Sequence, residues 1–311
     1  MATGETPLVL GEKSITMPAD GTVIEKFFIP SAAMDRHVRV FVVLPPAYAS
    51  APGGRFPALY TLHGSGAPYA TFGEMAPLRA ALANQPMLVV GFDGDKEGWY
   101  IDSPLRRDSQ FETFFFQELI PYIERNYRVI REARGVTGFS MGGFGAFHYM
   151  LAYPEMFAGV SALSGVFGIV PGPAGVEAPP AEPVYATRRN LREDGLVALL
   201  GDPDQNKGAY ERVDVMHGLE VAVAKGVRLP PLYLTCGAED SLLRESRVLR
   251  DWLSEKRIPC EYVEKPGGHD WPFWRGSSAE IIDFHWRSFQ GGPTHPDSPA
   301  AAPEQAERGK K

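Results

Sequence analysis

Short runs of strand length recur along this chain between segments of helical period. Those at residues 58–62, 87–92, 135–138, 159–163, 232–236 and 260–265 suit strands buried in a parallel sheet. Two earlier runs, 23–29 and 38–44, show mixed alternation, and the second ends at Pro45-Pro46. That pattern fits an antiparallel pair at a sheet edge. Helical period marks residues 108–126, with Asp108 as a cap, then 140–152 and 242–256. Strands alternating with helices predict an α/β fold, a mostly parallel eight-stranded sheet with helices on both faces. Phe111, Phe114, Phe115 and Phe116 lie on the first of these helices and read as core packing rather than a binding box.

Two stretches depart from the alternation. Residues 171–183 are Pro, Gly and Ala-rich and can form neither strand nor helix, and an amphipathic helix is predicted after them near 191–200. Together they read as an insertion near 169–210. It follows the strand after the 140–152 helix, so it leaves the sheet at its carboxyl edge, where α/β proteins bind ligands. A lid or pocket wall is the expectation. Residues 291–311 are rich in Pro and Ala with little apolar content, and a disordered tail is expected there. The domain reading is therefore an N-terminal extension over 1–22, one domain over 23–290, and the tail.

Composition narrows the class without choosing the chemistry. Of 311 residues, 44 % are hydrophobic and 22 % charged, ordinary values for a globular chain with a large core. A net charge of -7 and the lack of any concentrated basic segment argue against nucleic acid as a partner. Residues 1–21 lack the basic start and apolar stretch of an export signal, and nothing approaches a membrane span. Cys236 and Cys260, at or near strands, read as free buried thiols. A cytoplasmic protein follows as the expectation, with no membrane partner and with a homo-oligomer left open.

Chemistry enters at Gly138-Phe139-Ser140-Met141-Gly142. This fits G-x-S-x-G, a sharp strand-to-helix turn that lifts a serine above the sheet, with glycines where the two backbones nearly touch. The bare pattern is weak, but an apolar run precedes it and a small-residue helical pattern follows, which is the required setting. A serine hydroxyl is a poor nucleophile at neutral pH and needs a base, which in turn needs an orienting acid. In Pro266-Gly267-Gly268-His269 a flexible turn after the last strand can present His269 over Ser140; His285 falls in a helix and His295 in the tail. For the acid, Gly237-Ala238-Glu239-Asp240 places two carboxylates at a strand end. Asp240 is favoured, with Glu239 pointing away, although Asp240 also suits a cap for the following helix.

Attack by such a serine creates an oxyanion that needs donors already in place. The backbone amides of Met141 and of Ser65, in His63-Gly64-Ser65-Gly66, are the candidates, with Gly66 the alternative to Ser65. His63 reads as a loop brace rather than as a base. Trp99 and Tyr100, at the same sheet edge, line an acyl or alcohol pocket or else pack beneath the loop. Neither metal-ligand spacing nor a phosphate-binding glycine loop is present, so no metal or cofactor is expected.

Taken together, Leu62-His63-Gly64, Gly98-Trp99-Tyr100, Glu118-Leu119-Ile120-Pro121-Tyr122, residues 138–146, residues 236–240 and Gly268-His269-Asp270-Trp271 resemble the esterase D-like branch of the α/β-hydrolases. That branch includes S-formylglutathione hydrolases, tributyrin and other short-chain carboxylesterases, feruloyl esterases and mycolyltransferases. The resemblance spans about residues 23–290. It implies an α/β-hydrolase fold, a Ser140–Asp240–His269 triad, Met141 and Ser65 as oxyanion donors, and a serine carboxylesterase acting on a small-molecule ester. One departure stands out: residues 63–67 carry no cysteine, where S-formylglutathione hydrolases have a cysteine-containing loop. The alternatives are an acyltransferase using the same acyl-enzyme and an inactive binding protein on this fold.

Overall fold

The computed structural model describes residues 10–168 and 195–291. Its strands are β1 Ser14–Thr16, β2 Val23–Ser31, β3 Arg36–Leu44, β4 Phe56–Leu62, β5 Leu88–Phe92, β6 Val129–Phe139, β7 Gly159–Leu163, β8 Leu232–Gly237 and β9 Cys260–Lys265. They form one sheet in the order β1-β2-β3-β5-β4-β6-β7-β8-β9. β1, β2, β3 and β5 pair antiparallel in turn, and every pairing from β5 through β4 to β9 is parallel. The antiparallel edge and the parallel body are as the pattern predicted. The sheet has nine strands rather than eight because the three-residue β1 pairs Ser14 with Lys26. Three largely exposed residues are too few for alternation to register.

β4 lies between β5 and β6, so the chain steps from β4 to one side and then returns to the other. Loops leaving the carboxyl ends of β4 and β6 therefore diverge and open a crevice between them. Side chains of β4 alternate across the sheet. Tyr60 and Leu62 join one core with Phe115, Phe144 and Met150, while Leu59 joins the other with Phe139, Trp274 and Ile281.

On the first face lie the helix Met141–Ala152 and a continuous helical stretch made of Phe111–Thr113, a π-helical Phe114–Leu119 and Ile120–Asn126. Pro121, which has no N–H for the preceding turn, stands two residues after the π segment ends at Leu119. Asp108 does not cap this helix: its carboxylate is held by the Arg106 guanidinium at 2.9 and 3.2 Å, and the helix starts at Phe111. Phe111, Phe114 and Phe115 are fully buried, as core packing requires. The predicted helix near 191–200 appears as Leu196–Leu200, docked by buried leucines and by a 2.6 Å hydrogen bond from Ser103 Oγ to Leu199 O. The Pro-rich 171–183 stretch and the tail after residue 291 lie outside the described residues. No helix among the described residues is long and apolar enough to cross a membrane.

Across the sheet, the helix Trp271–Phe289 packs with Ala76–Ala81 and carries the fully buried His285. His285 Nε2 meets Ser161 Oγ at 2.9 Å, the Ser161 hydroxyl donates to Thr137 Oγ1 at 2.7 Å, and His285 Nδ1 has no partner among the described residues. Burial lowers the imidazole to about 3. The unfolded chain takes up this proton below about pH 6.5 while the folded chain refuses it until about pH 3, so stability falls as pH drops through that window. His285 alone should contribute a slope of about 1.4 kcal/mol per pH unit. Urea unfolding from pH 7 to 4 should show that slope reduced by about this amount in His285→Leu; equal slopes would contradict it.

Candidate active site

Strand β6 feeds directly into Ser140, whose backbone (φ 54°, ψ −120°) is one that L-residues rarely adopt. The bend survives because the surroundings hold it: Ser140 N donates to Leu163 O at 3.0 Å, and Ser140 O accepts from Gly143 N at 2.9 Å. A Cβ on Gly142 would stand 1.9 Å from Leu62 O, and one on Gly138 would stand 2.2 Å from Gly142 O. Both glycines of the motif are thus required by backbone contact between the helix start and strands β4 and β6.

The loop after β8 carries Asp240, the candidate acid. Asp240 has a fully buried side chain, and its two carboxylate oxygens lie 3.0 and 3.1 Å from His269 Nδ1. Its Oδ1 also accepts from the Leu242 N–H at 2.7 Å, closing a turn ahead of the helix Leu243–Glu255; Asp240 does not cap that helix, whose N-cap is Leu242 with no side-chain cap. Burial pushes this carboxyl up, but hydrogen bonds from His269, Ser164 and the Leu242 amide outweigh burial and hold it below the usual carboxylate range. Glu239 points away from His269, as expected, but it is not idle. Its Oε2 accepts from the Gly267 N–H at 2.6 Å and its own N–H donates to Gly267 O at 3.0 Å, tying the acid loop to the histidine loop.

His269 stands between β9 and the helix Trp271–Phe289, with Nε2 2.9 Å from Ser140 Oγ. Asp270 caps that helix by accepting from Phe273 N at 3.0 Å, which sets the direction in which His269 leaves the chain. The Trp274 ring meets the imidazole edge-on at 5.0 Å and stacks on Phe139 at 4.6 Å. Because Nδ1 faces a carboxylate, the network assigns its proton there and leaves Nε2 to accept from the serine.

Among the described residues, neither the Ser65 nor the Met141 amide has an acceptor. Met141 opens a helix, where the first N–H groups have no intrahelical partner. Gly66, the alternative to Ser65, gives its N–H to Lys96 O at 3.1 Å, which leaves Ser65 as the available donor of the pair.

His63 is buried and braces this loop: Nδ1 bonds Gly64 O at 2.9 Å, and Nε2 accepts from Gly94 N at 2.9 Å. Burial lowers its pKa, so the ring is neutral. Tyr100 is fully buried and its hydroxyl donates to His63 O at 2.8 Å, so it packs beneath the loop instead of lining a pocket. Trp99 is 3 % exposed, with its ring meeting Phe144 edge-on at 5.4 Å. Two residues of the site escaped the sequence reading, Ser164 and Trp274, joined by a 3.2 Å hydrogen bond from the indole N–H to Ser164 Oγ. The available signal was a hydroxyl residue closing the apolar β7 run at the edge that carries Ser140.

The Esterase family matches residues 31–283 of the chain. Esterase Rv1288 of Mycobacterium tuberculosis is 32 % identical, covering 74 % of this chain and 52 % of its own length; the chain thus spans about half of that relative. An acetyl esterase of Caldicellulosiruptor saccharolyticus is 28 % identical over 74 % of this chain and 82 % of its own. Among solved structures, the fluorophosphonate-binding serine hydrolase F of Staphylococcus aureus superposes with a TM-score of 0.70 at 19 % identity, over 85 % of this chain and 98 % of that one. An S-formylglutathione hydrolase of Agrobacterium tumefaciens superposes with a TM-score of 0.69 at 22 % identity, over 89 % and 98 % of the two chains. With the nucleophile-elbow geometry and the switch-point sheet, these place the chain in the Esterase family, within the esterase D-like branch of the α/β-hydrolases.

Proposed function

We propose that this chain hydrolyses small or medium carboxylic esters through an acyl-enzyme on Ser140. The observation that carries this reading is the unbroken chain Ser140 Oγ, His269 Nε2 at 2.9 Å, and His269 Nδ1 to Asp240 at 3.0 Å. Ser140 Oγ attacks the acyl carbon as its proton passes to His269 Nε2, and the charge on the former carbonyl oxygen is met by the Ser65 and Met141 amides. Collapse expels the alcohol, which takes the proton back from Nε2. Water then repeats the sequence on the acyl-serine and releases the acid. Asp240, held below the usual carboxylate range, stays ionised throughout and stabilises the imidazolium. The acetyl esterase relative supports a short acyl group.

Intact-mass analysis after fluorophosphonate treatment tests this first, followed by turnover of 4-nitrophenyl esters of graded acyl length. One covalent adduct and turnover are expected; no adduct and no turnover would overturn the reading.

A further inference from the structure

Glu245 sits in the first turn of the helix Leu243–Glu255, just beyond the Asp240 turn, and is only 7 % exposed. A carboxylate taken out of water is costly unless its lone pairs are used. Those of Oε2 accept from two successive backbone amides, Phe167 N at 2.8 Å and Gly168 N at 3.0 Å, where the chain has left β7. Both residues are buried, so the carboxylate satisfies N–H groups that water does not reach.

The segment held in this way lies against the nucleophile turn. Val166 N donates to Ser140 O at 3.3 Å, joining Gly143 N at 2.9 Å and Phe144 N at 3.2 Å on the same carbonyl. Contact continues along the helix Met141–Ala152: a Cβ on Gly143 would stand 2.7 Å from Gly165 Cα, and the Phe167 ring meets Phe147 edge-on at 5.0 Å. The Ser140 carbonyl and the Met141 N–H belong to one planar peptide, so whatever fixes the oxygen also fixes the direction of the N–H. Of these three amides two come from the helix itself, and Val166 brings the third from outside it.

We propose that Glu245 is a positioning residue for the oxyanion donor Met141, pegging the backbone at Phe167 and Gly168 so that Val166 holds the Ser140–Met141 peptide in the orientation the developing charge needs. Residues 240–245 then serve both halves of the site, Asp240 aiming the imidazole and Glu245 fixing the amide. Leu243 N donates to Asp240 O at 3.1 Å and Ser246 N to Leu242 O at 3.1 Å, so the two carboxylates are carried on one hydrogen-bonded stretch. The inference rests on the esterase reading above.

Three variants separate the place of the acceptor from its charge. Glu245→Gln keeps an oxygen at the same reach, Glu245→Asp keeps the charge but is one methylene short of the amides, and Glu245→Ala removes the acceptor. A misaimed donor costs less than a missing one, so kcat for 4-nitrophenyl acetate, counted per serine labelled by fluorophosphonate, should fall about tenfold in Glu245→Ala and Glu245→Asp, with KM within about twofold. Glu245→Gln should stay within about threefold of wild type. Counting per labelled serine removes misfolded protein from the comparison, so a merely structural role would lower the labelled fraction and leave kcat unchanged. Should Glu245→Ala fail to fold, the other two variants carry the test. Glu245→Asp at wild-type kcat per labelled serine, or Glu245→Gln losing as much as Glu245→Asp, would overturn the role of Glu245 alone. A wild-type protein that neither labels nor turns over ester would overturn this inference and the esterase reading together.

Discussion

Ser140→Ala is expected to lower ester turnover by about four orders of magnitude or more while the protein stays folded and its fluorophosphonate adduct disappears. The size follows from what the hydroxyl does. Without Oγ there is no acyl-enzyme, and His269 Nε2, which now has Oγ at 2.9 Å, keeps only water to activate. The Ser65 and Met141 amides would still polarise a bound carbonyl, so activity should settle above the uncatalysed rate rather than at it. Stability should change by no more than about 1 kcal/mol, because one hydrogen bond to a partly exposed imidazole is lost. The bend at φ 54° is held by the Leu163 carbonyl and the Gly143 amide, neither of which the substitution touches. Turnover by the variant within tenfold of wild type would remove Ser140 as nucleophile.

The turn at Ser140 was legible because its motif is steric. Gly138 and Gly142 are required by backbone contacts that any chain making this bend must satisfy, so spacing alone carries the geometry. The parallel strands were legible for a similar reason: burial on both faces leaves no room for polar alternation. Choosing Asp240 over Glu239 was harder, since both stand at the end of β8, and only the three-dimensional path of the loop turns one towards His269 and the other towards Gly267. Tyr100 shows where pattern reasoning stops. Trp99 and Tyr100 adopt consecutive positive φ angles of 54° and 58°, which no local rule predicts for two aromatic residues, and that twist sends Tyr100 under the loop to the His63 carbonyl. Ser164 and Trp274 lie 110 residues apart, and only packing across the sheet edge brings them together.

Asp240→Asn should lower kcat by about 10⁴-fold with a normal fold, a larger loss than the removal of one charge suggests. The carboxylate now accepts from His269 Nδ1 at 3.0 Å and from the Leu242 N–H at 2.7 Å. An asparagine has one acceptor oxygen, and the Leu242 amide holds the Oδ1 position, which turns the NH2 group towards Nδ1. An NH2 group there can only donate, so Nδ1 must become the acceptor and the ring proton moves to Nε2. Nε2 then points a hydrogen at Ser140 Oγ and can no longer take its proton. Glu239→Gln is the companion measurement, because Glu239 meets the Gly267 N–H rather than the imidazole. A glutamine oxygen can accept that same bond, so its kcat should stay within about tenfold of wild type. If the two substitutions cost the same, the loop would be positioning His269 as a whole and Asp240 would hold no special place in it. If Asp240→Asn alone collapses kcat, the tautomer of His269 is what the buried carboxylate controls.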